Sequence, residues 1–514
     1  MRTISAFLPA AVVLLLLLSC TAWGVSVSVE KNPNSPTMLM HYMPWFQTPS
    51  SLGGTGGSQW GWHWKMNTQN PNVVDASGKR QIASNYYPKI GPYDSTDPSV
   101  IEYHLLLMKY SGIDGVMVDW YGVQGANGDV ASLLTGSNAI INKVGNYGLQ
   151  FGVVAEDNFW TNSISDTTPD INKAKANMNY LRDNYFNNPS YIRTTAGANN
   201  GPLLFNFGPI RFTQPSQWSQ ILPETGTDPV FVPLNYHANL AGSNADGEFA
   251  WPYQDPGTSD HLTKLRTFYT SQASQFNFAA GVAYPGFHDF YQQGGAGSGY
   301  STIPENNGQT LTDTLNLYDL YKPNLDMLQL ATFNDFGEGT MFEPTVEDGF
   351  RSLHQIQLYT GAKDPTTHRA LDESDLQMIY QLYLARKEYA SNPTIQTLLN
   401  TVSADLNSMQ IDAARMLLNQ AAPAGDYNGD GLVNASDYSA WRNAIGSSTI
   451  ICGTGADGTF DGVINAADYV IWRKSLAGGA GTGTSTASVP EPGIAGLFMV
   501  LAAFCSCYRA RHSS

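Results

Sequence analysis

Cysteine is nearly absent. Four occur in 514 residues, Cys20, Cys452, Cys505 and Cys507, and none falls between Val25 and Gln420. The central body therefore has neither a disulfide framework nor a thiolate for nucleophilic or metal chemistry. Basic side chains are scarce too: 27 Lys and Arg stand against 43 Asp and Glu, a formal net charge of −16. That balance argues against nucleic acid and anionic membrane as partners. No Gly-rich GxGxxG opens a helix after the first apolar run, so the dinucleotide fingerprint is missing. No His/Glu spacing in the body makes a metal site, and chemistry without a cofactor is expected there. Charged residues make up only 14%, whereas aromatics reach 12%, with 27 Tyr and 11 Trp. Rings of that kind stack on sugar faces and hydrogen-bond through their polar tips, or simply fill a large core.

Long apolar runs are confined to the two ends. Arg2 precedes "AFLPAAVVLLLLLS", and "TAWG" offers small residues at Ala22 and Gly24, so residues 1–24 are expected to be a signal peptide. Cys20 in "LLSC" leaves lipoprotein processing as the alternative. Both readings export the chain. At the other end, residues 479–488 form a Gly/Ser/Thr linker before residues 489–514. There Pro490-Glu491-Pro492, an apolar span from Ile494 to Phe504, and Arg509 with Arg511 resemble a PEP-CTERM sorting signal. The span is shorter than the ~20 residues of a lasting membrane helix. The resemblance implies sorting machinery at the membrane and a processed tail, with a C-terminal membrane helix as the alternative.

Between these ends, short apolar runs recur from Thr37 to Phe336: "MLMHYMPWF", "GVMVDWYG", "QFGVVAEDNFW", "PLLFNFG", "VFVPLNYH", "FAAGVAYPGF" and "MLQLATFNDF". Val100, Tyr103, Leu107 and Tyr110 lie between two of them at helical spacing. Near-continuous apolar strands alternating with helices predict a parallel sheet covered on both sides, here a (β/α)8 TIM-type barrel. The catalytic unit is expected over residues 25–420, closing with helical stretches such as "ESDLQMIYQLYLARKEYA". In such barrels the strand tips build the active site. Polar tips are His41 and Trp45, Asp119 and Trp120, Glu156 and Asp157, Asn235 and His237, and Asp335 and Glu338.

After "AAPAG", residues 425–478 contain one unit twice: "DYNGDGLVNASDYSAWRNAIG" and "DGTFDGVINAADYVIWRKSLAG". The first copy places Asp426, Asn428, Asp430, Leu432, Asn434 and Asp437 at the ligand positions of a twelve-residue calcium loop, with Leu432 giving its carbonyl. The second places Asp457, Thr459, Asp461, Val463, Asn465 and Asp468 likewise. Gly431 and Gly462 permit the sharp turn. Asp stands where an EF-hand has Glu at position 12, and Thr459 is a weaker ligand. The pair resembles a type I dockerin, which implies a small all-α domain, bound Ca²⁺ and a cohesin-like partner. Calcium held there is expected to leave the barrel's activity unchanged.

Two stretches carry a second resemblance. One is "HYMPWF", "WGWHW" and "YYPKIGPYDSTDPSVIEYHLLLMKYSGIDGVMVDWYG"; the other is "YPGFHDF" with "ATFNDFGEGTMFEP". Together they look like glycoside hydrolase family 99, and "FNDFGE" also leans toward the family 71 α-1,3-glucanases. The resemblance implies an endo-acting enzyme on an α-linked polysaccharide, an α-mannan or α-glucan. Glu338 then matches the general acid/base. Asp335 matches the second carboxylate, which in family 99 is a Glu assisting the sugar 2-hydroxyl through an epoxide-like intermediate. An Asp is one methylene shorter, which leaves room for a water and for inversion, as in family 71. On the residues alone, two carboxyls at one strand end suit glycoside hydrolysis, and burial of Glu338 would hold its proton. Substrate contacts are expected from His41, Trp45, Trp62, His63, Trp64, Asp119, Trp120, Glu156, Asp157, Tyr284, His288 and Asp289. Glu343, further along the same loop, is expected to matter less. Two other readings stay open: a carbohydrate-binding envelope protein without turnover, and a polysaccharide-assembly protein.

Overall fold

The computed structural model describes residues 25–52, 59–126, 128–163, 168–254 and 260–478. The expected signal peptide, linker and sorting tail lie outside these residues, as do Cys20, Cys505 and Cys507. Among the described residues, nine strands form in chain order. They are β1 Met38–Tyr42, β2 Gly115–Trp120, β3 Gln150–Ala155, β4 Arg193–Ala196 and β5 Asn199–Asn206. Then come β6 Val230–Pro233, β7 Gly247–Phe249, β8 Phe278–Ala283 and β9 Met327–Leu330. All but β4 run parallel.

The pairing path runs β1–β2–β3–β5–β6 on one side and β1–β9–β8–β7 on the other. A parallel bridge between Leu234 and Phe249 joins β6 to β7, so the path returns to its start. The result is an eight-stranded α/β barrel, with β4 as a hairpin partner outside the ring. Strand residues are almost all buried, as expected where helices cover the outside and side chains fill the inside.

The helix Pro98–Tyr110 shows how local signals and packing combine. Asp97 caps it by accepting from the Ser99 amide at 2.9 Å, and Pro98 fills the first turn. Every residue from Val100 to Tyr110 is buried, not just one face. The reason is a second cover: the helix Glu373–Glu388 lies across it, with Arg386 gripping Glu102 at 2.9 and 3.0 Å. Tyr103 and Tyr383 pack with ring centroids 5.4 Å apart. The helical region after the barrel is therefore part of the catalytic unit's packing, not a stalk.

The C-terminal repeats supply helices Ala435–Ala444 and Ala466–Gly478. Trp441 donates to the Asn465 carbonyl and Trp472 to the Asn434 carbonyl, both at 2.8 Å, a reciprocal cross-brace between the two copies. One antiparallel bridge, Ser448 to Val463, accompanies the helices.

Candidate active site

At the tip of β9 the chain makes a tight turn held by its own polar groups. Asn334, fully buried, accepts from the Met43 amide at 2.8 Å and donates to its carbonyl at 3.0 Å. That pair locks the tip of β9 to the tip of β1. The Thr332 hydroxyl accepts from the Asp335 amide, and Asp335 Oδ1 accepts from the Glu338 amide, both at 2.9 Å. Gly339 sits at φ +66°, and a Cβ there would lie 2.5 Å from the His288 carbonyl oxygen. Its glycine lets two loops meet: His288 donates its amide to the Glu338 carbonyl, and Phe290 donates to the Gly337 carbonyl, each at 2.8 Å. Gly337, by contrast, faces the cavity.

That cavity holds about 600 Å³. It is lined by Asp335, Gly337 and Tyr291, with Met66 against Gly337, and by Trp45, Trp62 and His63. Tyr121, Phe159 and Asp129 complete the lining. Trp45 lies flat on His63, ring centroids 4.0 Å apart at 6°. Tyr121 stacks on Phe159 at 4.2 Å. His63 Nε2 points at Asp129 Oδ2, 3.6 Å away, and burial lowers the imidazole below its ordinary value. The lining is thus largely aromatic, with the carboxyls of Asp335 and Asp129 set among the rings.

The acids are tuned against one another. Burial pushes Asp335 up to about 7, opposed by the amides of Glu338 and Gly337. Glu338 is driven well above the carboxylate range by burial and then by the charge of Asp335. Tyr291 donates to its Oε1 at 3.0 Å, while Oε2 is buried without a partner. Asp119 and Glu156 share a hydrogen bond nearby, and burial raises both well above normal. Negative charge is costly for every member, so protons are retained in the group. When Asp335 ionises, Glu338 keeps its proton.

Other expected substrate residues point elsewhere. Trp64 is fully buried, donating to the Tyr93 carbonyl at 2.7 Å and stacking on Phe46, so it supports the loop from beneath. Trp120 turns outward between strand and helix layers, its ring against Tyr180 and Tyr185. Asp157 accepts from the amides of Ile210, Arg211 and Phe212 at 2.8–3.1 Å and shapes that loop. Tyr284 is buried with its hydroxyl 2.8 Å from His261 Nδ1. Asp289 accepts from the amides of Tyr291 and Tyr300 at 2.9 and 2.7 Å, ordering the loop that presents Tyr291. His288 acts through its backbone, and its ring stands edge-on to Tyr86. His41 lies inside the barrel against Trp251, and burial lowers its pKa to about 3, so it is neutral.

Glu343 is no bystander. Its side chain is sealed from solvent, accepts from the Tyr93 hydroxyl at 2.7 Å, and faces His104 Nε2 at 3.4 Å. Glu343→Ala leaves the buried Tyr93 hydroxyl without its acceptor, a loss of about 1–3 kcal/mol. A fall of several degrees in Tm, read by calorimetry, is the expected result.

In the C-terminal loops, Asp426 Oδ1 and Oδ2 accept from the amides of Asp430 and Gly431 at 3.1 and 2.7 Å. Asp457 receives the amides of Asp461 and Gly462 in the same way, at 3.2 and 2.9 Å. Asp437 and Asp468 are fully buried and accept loop amides. Among the described residues, no group of three or more His, Cys, Asp or Glu side chains stands together as a metal cluster. The donors are oxygen throughout, in the order a hard dication takes, and half such a set is normally carbonyl, amide or water. In kind, the residues fit calcium.

Residues 35–364 match the sequence profile of glycosyl hydrolase family 99, and residues 424–477 match the dockerin type I domain. The chain is 23% identical over 283 residues to a glycoprotein endo-alpha-1,2-mannosidase of Xenopus laevis, covering 52% of this chain and 59% of that protein. It is 24% identical over 290 residues to the Rattus norvegicus protein of the same name, covering 52% and 58%. The chain thus spans about three-fifths of the length of the curated relatives it matches. Among solved structures, the GH99 endo-alpha-mannosidase from Bacteroides thetaiotaomicron is 19% identical, with a TM-score of 0.46 over 60% of this chain and 88% of that one.

Proposed function

The chain belongs to glycosyl hydrolase family 99, and from that premise we propose that it is an exported, endo-acting glycosidase cleaving an α-linked mannan. The observation that carries this reading is the pair Asp335 and Glu338 on one turn, beside an aromatic-walled cavity of about 600 Å³. The relatives' activity toward α-mannosidic bonds supports the choice of mannan over glucan.

In the mechanism, Glu338 donates its proton to the oxygen of the leaving sugar, with Tyr291 holding Oε1 so that the partnerless Oε2 carries the proton. Ionised Asp335 acts on the opposite side of the departing bond. It takes a proton from the sugar 2-hydroxyl on a retaining route, or from water on an inverting one. The Asp119–Glu156 pair binds sugar hydroxyls while keeping a proton between them. Trp62, 39% exposed at the mouth, and the Trp45–His63 stack form platforms for flanking sugars.

Reducing-end release from a panel of α-linked mannans and glucans tests the reading. Cleavage of mannan with internal products supports it, and inertness toward every α-mannan overturns it. Trp62→Ala removes one stacking surface worth about 1 kcal/mol. KM is expected to rise roughly fivefold with kcat nearly unchanged, since the contact is made equally in ground and transition states.

Calcium in the two C-terminal loops belongs to the same proposal, held by Asp426, Asn428, Asp430, Asn434 and Asp437 and by Asp457, Thr459, Asp461, Asn465 and Asp468, with the carbonyls of Leu432 and Val463. There it would neutralise the buried carboxyls of Asp426, Asp437, Asp457 and Asp468. A cohesin-like partner and C-terminal processing complete the reading.

A further inference from the structure

Among the described residues, the buried core of the C-terminal repeats is Tyr427, Ala456, Ile464 and Trp472, with partly buried side chains such as Tyr438 and Trp441 packed on it. So small a core supplies little stability, and natural domains of this kind commonly add a metal or a neighbour. A neighbour is present. Ile450 and Ile451, in the segment between the repeats, pack against the barrel's core instead of their own. Ile450 sits on Gly78 and Ile451 on Gly91, each 3.3 Å from where a Cβ would stand. Tyr380, on the helix Glu373–Glu388, donates to the Cys452 carbonyl at 2.8 Å. Tyr389, the residue ending that helix, donates to Asp426 Oδ2 at 2.7 Å in a buried bond. Leu384 lies under Gly453, one helical turn from Tyr380.

Each contact touches something with another duty. Asp426 is the first ligand position of the first loop, and its Oδ2 also accepts from Gly431. Gly78 and Gly91 lie in the loop after β1 that carries Trp62, His63 and Met66 to the cavity. One carboxylate thus joins a cation loop to a catalytic-unit helix, and one isoleucine pair joins the repeats to the active-site loop.

We propose that the dockerin-like repeats are a calcium-linked clamp on the barrel: Asp426, Ile450 and Ile451 dock on Tyr389 and residues 78–91, so that cation loading and the order of that face rise together. The clamp rests on the calcium reading above. A cation bound by the first loop fixes the Asp426 carboxylate that Tyr389 holds. An opening that frees the end of that helix then also releases the cation, so bound calcium suppresses it.

Calcium titration by calorimetry, paired with hydrogen exchange of the full chain with and without calcium, tests the clamp. At free calcium about 100 times the dissociation constant, openings that release it are suppressed about 100-fold. Amides near the end of Glu373–Glu388 and in residues 78–91 are expected to slow by about that factor. In the double variant Tyr389→Phe, Ile451→Asp, calcium is expected still to titrate while this protection disappears. Calcium bound by the wild type with exchange in those segments unchanged overturns the clamp alone. No calcium titration overturns both the clamp and the calcium reading. The wild-type comparison decides the matter even if the double variant folds poorly.

Discussion

Glu338→Gln is expected to slow cleavage of an unactivated α-mannan by about 10²–10⁴-fold, the usual worth of a general acid/base. Gln preserves the shape of the side chain and can still accept from Tyr291. It has no acidic proton to give to the leaving oxygen. On a substrate with an activated leaving group the loss is expected to shrink, because departure then needs little protonation. The contrast between the two substrates is the signature of an acid, and a merely structural role would not produce it. Steady-state rates on both substrates, side by side, provide the check.

Asp335→Asn is expected to cost a similar factor, about 10²–10⁴, on both substrate types. Its work lies on the other side of the sugar, where leaving-group chemistry gives no relief. Only the ionised form can take a proton, and burial places its pKa at about 7. In the wild type, kcat/KM should therefore fall as pH drops through 7. Stability runs the other way. The folded-state value lies above the ordinary 3.8, so between these limits the folded protein binds a proton that the unfolded chain has lost. The contribution of this carboxyl to stability is fullest at acid pH and declines as pH rises toward 7. Asn carries no charge at any pH. Asp335→Asn should accordingly raise Tm at pH 8 more than at pH 4, while slowing turnover by that factor wherever the wild-type carboxylate is ionised.

The alternation of apolar runs and helices was enough to read the barrel, and the acids at the end of β9 were legible because a buried strand has little other reason to end in them. Trp45, Trp62 and His63 also came together as the sequence suggested. The errors share a cause. Successive strand residues point to opposite faces, so a polar tip names a pair without saying which member faces in. Asp119 joins the acids while Trp120 turns outward, and Glu156 joins them while Asp157 ties down a loop. Aromatic clusters have the same ambiguity: Trp62 reaches the cavity and Trp64, two residues on, supports it from below.

What went unread depends on distant partners. Tyr291 carries no motif of its own, and only the bracing of its loop on Gly337 and Glu338 brings its hydroxyl to the acid. The clue available was Asp289, whose spacing to Tyr291 suits a side chain capping its own loop. Glu343 looked like a loop acid because Tyr93 and His104 lie far away in sequence. The short linker "AAPAG" precedes the repeats, yet Ile450 and Ile451 beyond it return to the barrel. Composition marks where a chain is free to separate. It does not say whether a later apolar pair brings it back.

The most direct measurement is the rate of α-mannan cleavage by the wild type, Asp335→Asn and Glu338→Gln, taken with the affinity of each for an unreactive oligosaccharide. The expected result is cleavage by the wild type, loss of about two orders of magnitude or more in both variants, and affinities within roughly tenfold, about 1.4 kcal/mol. Near wild-type turnover in both variants would contradict the assignment and make the two carboxylates structural.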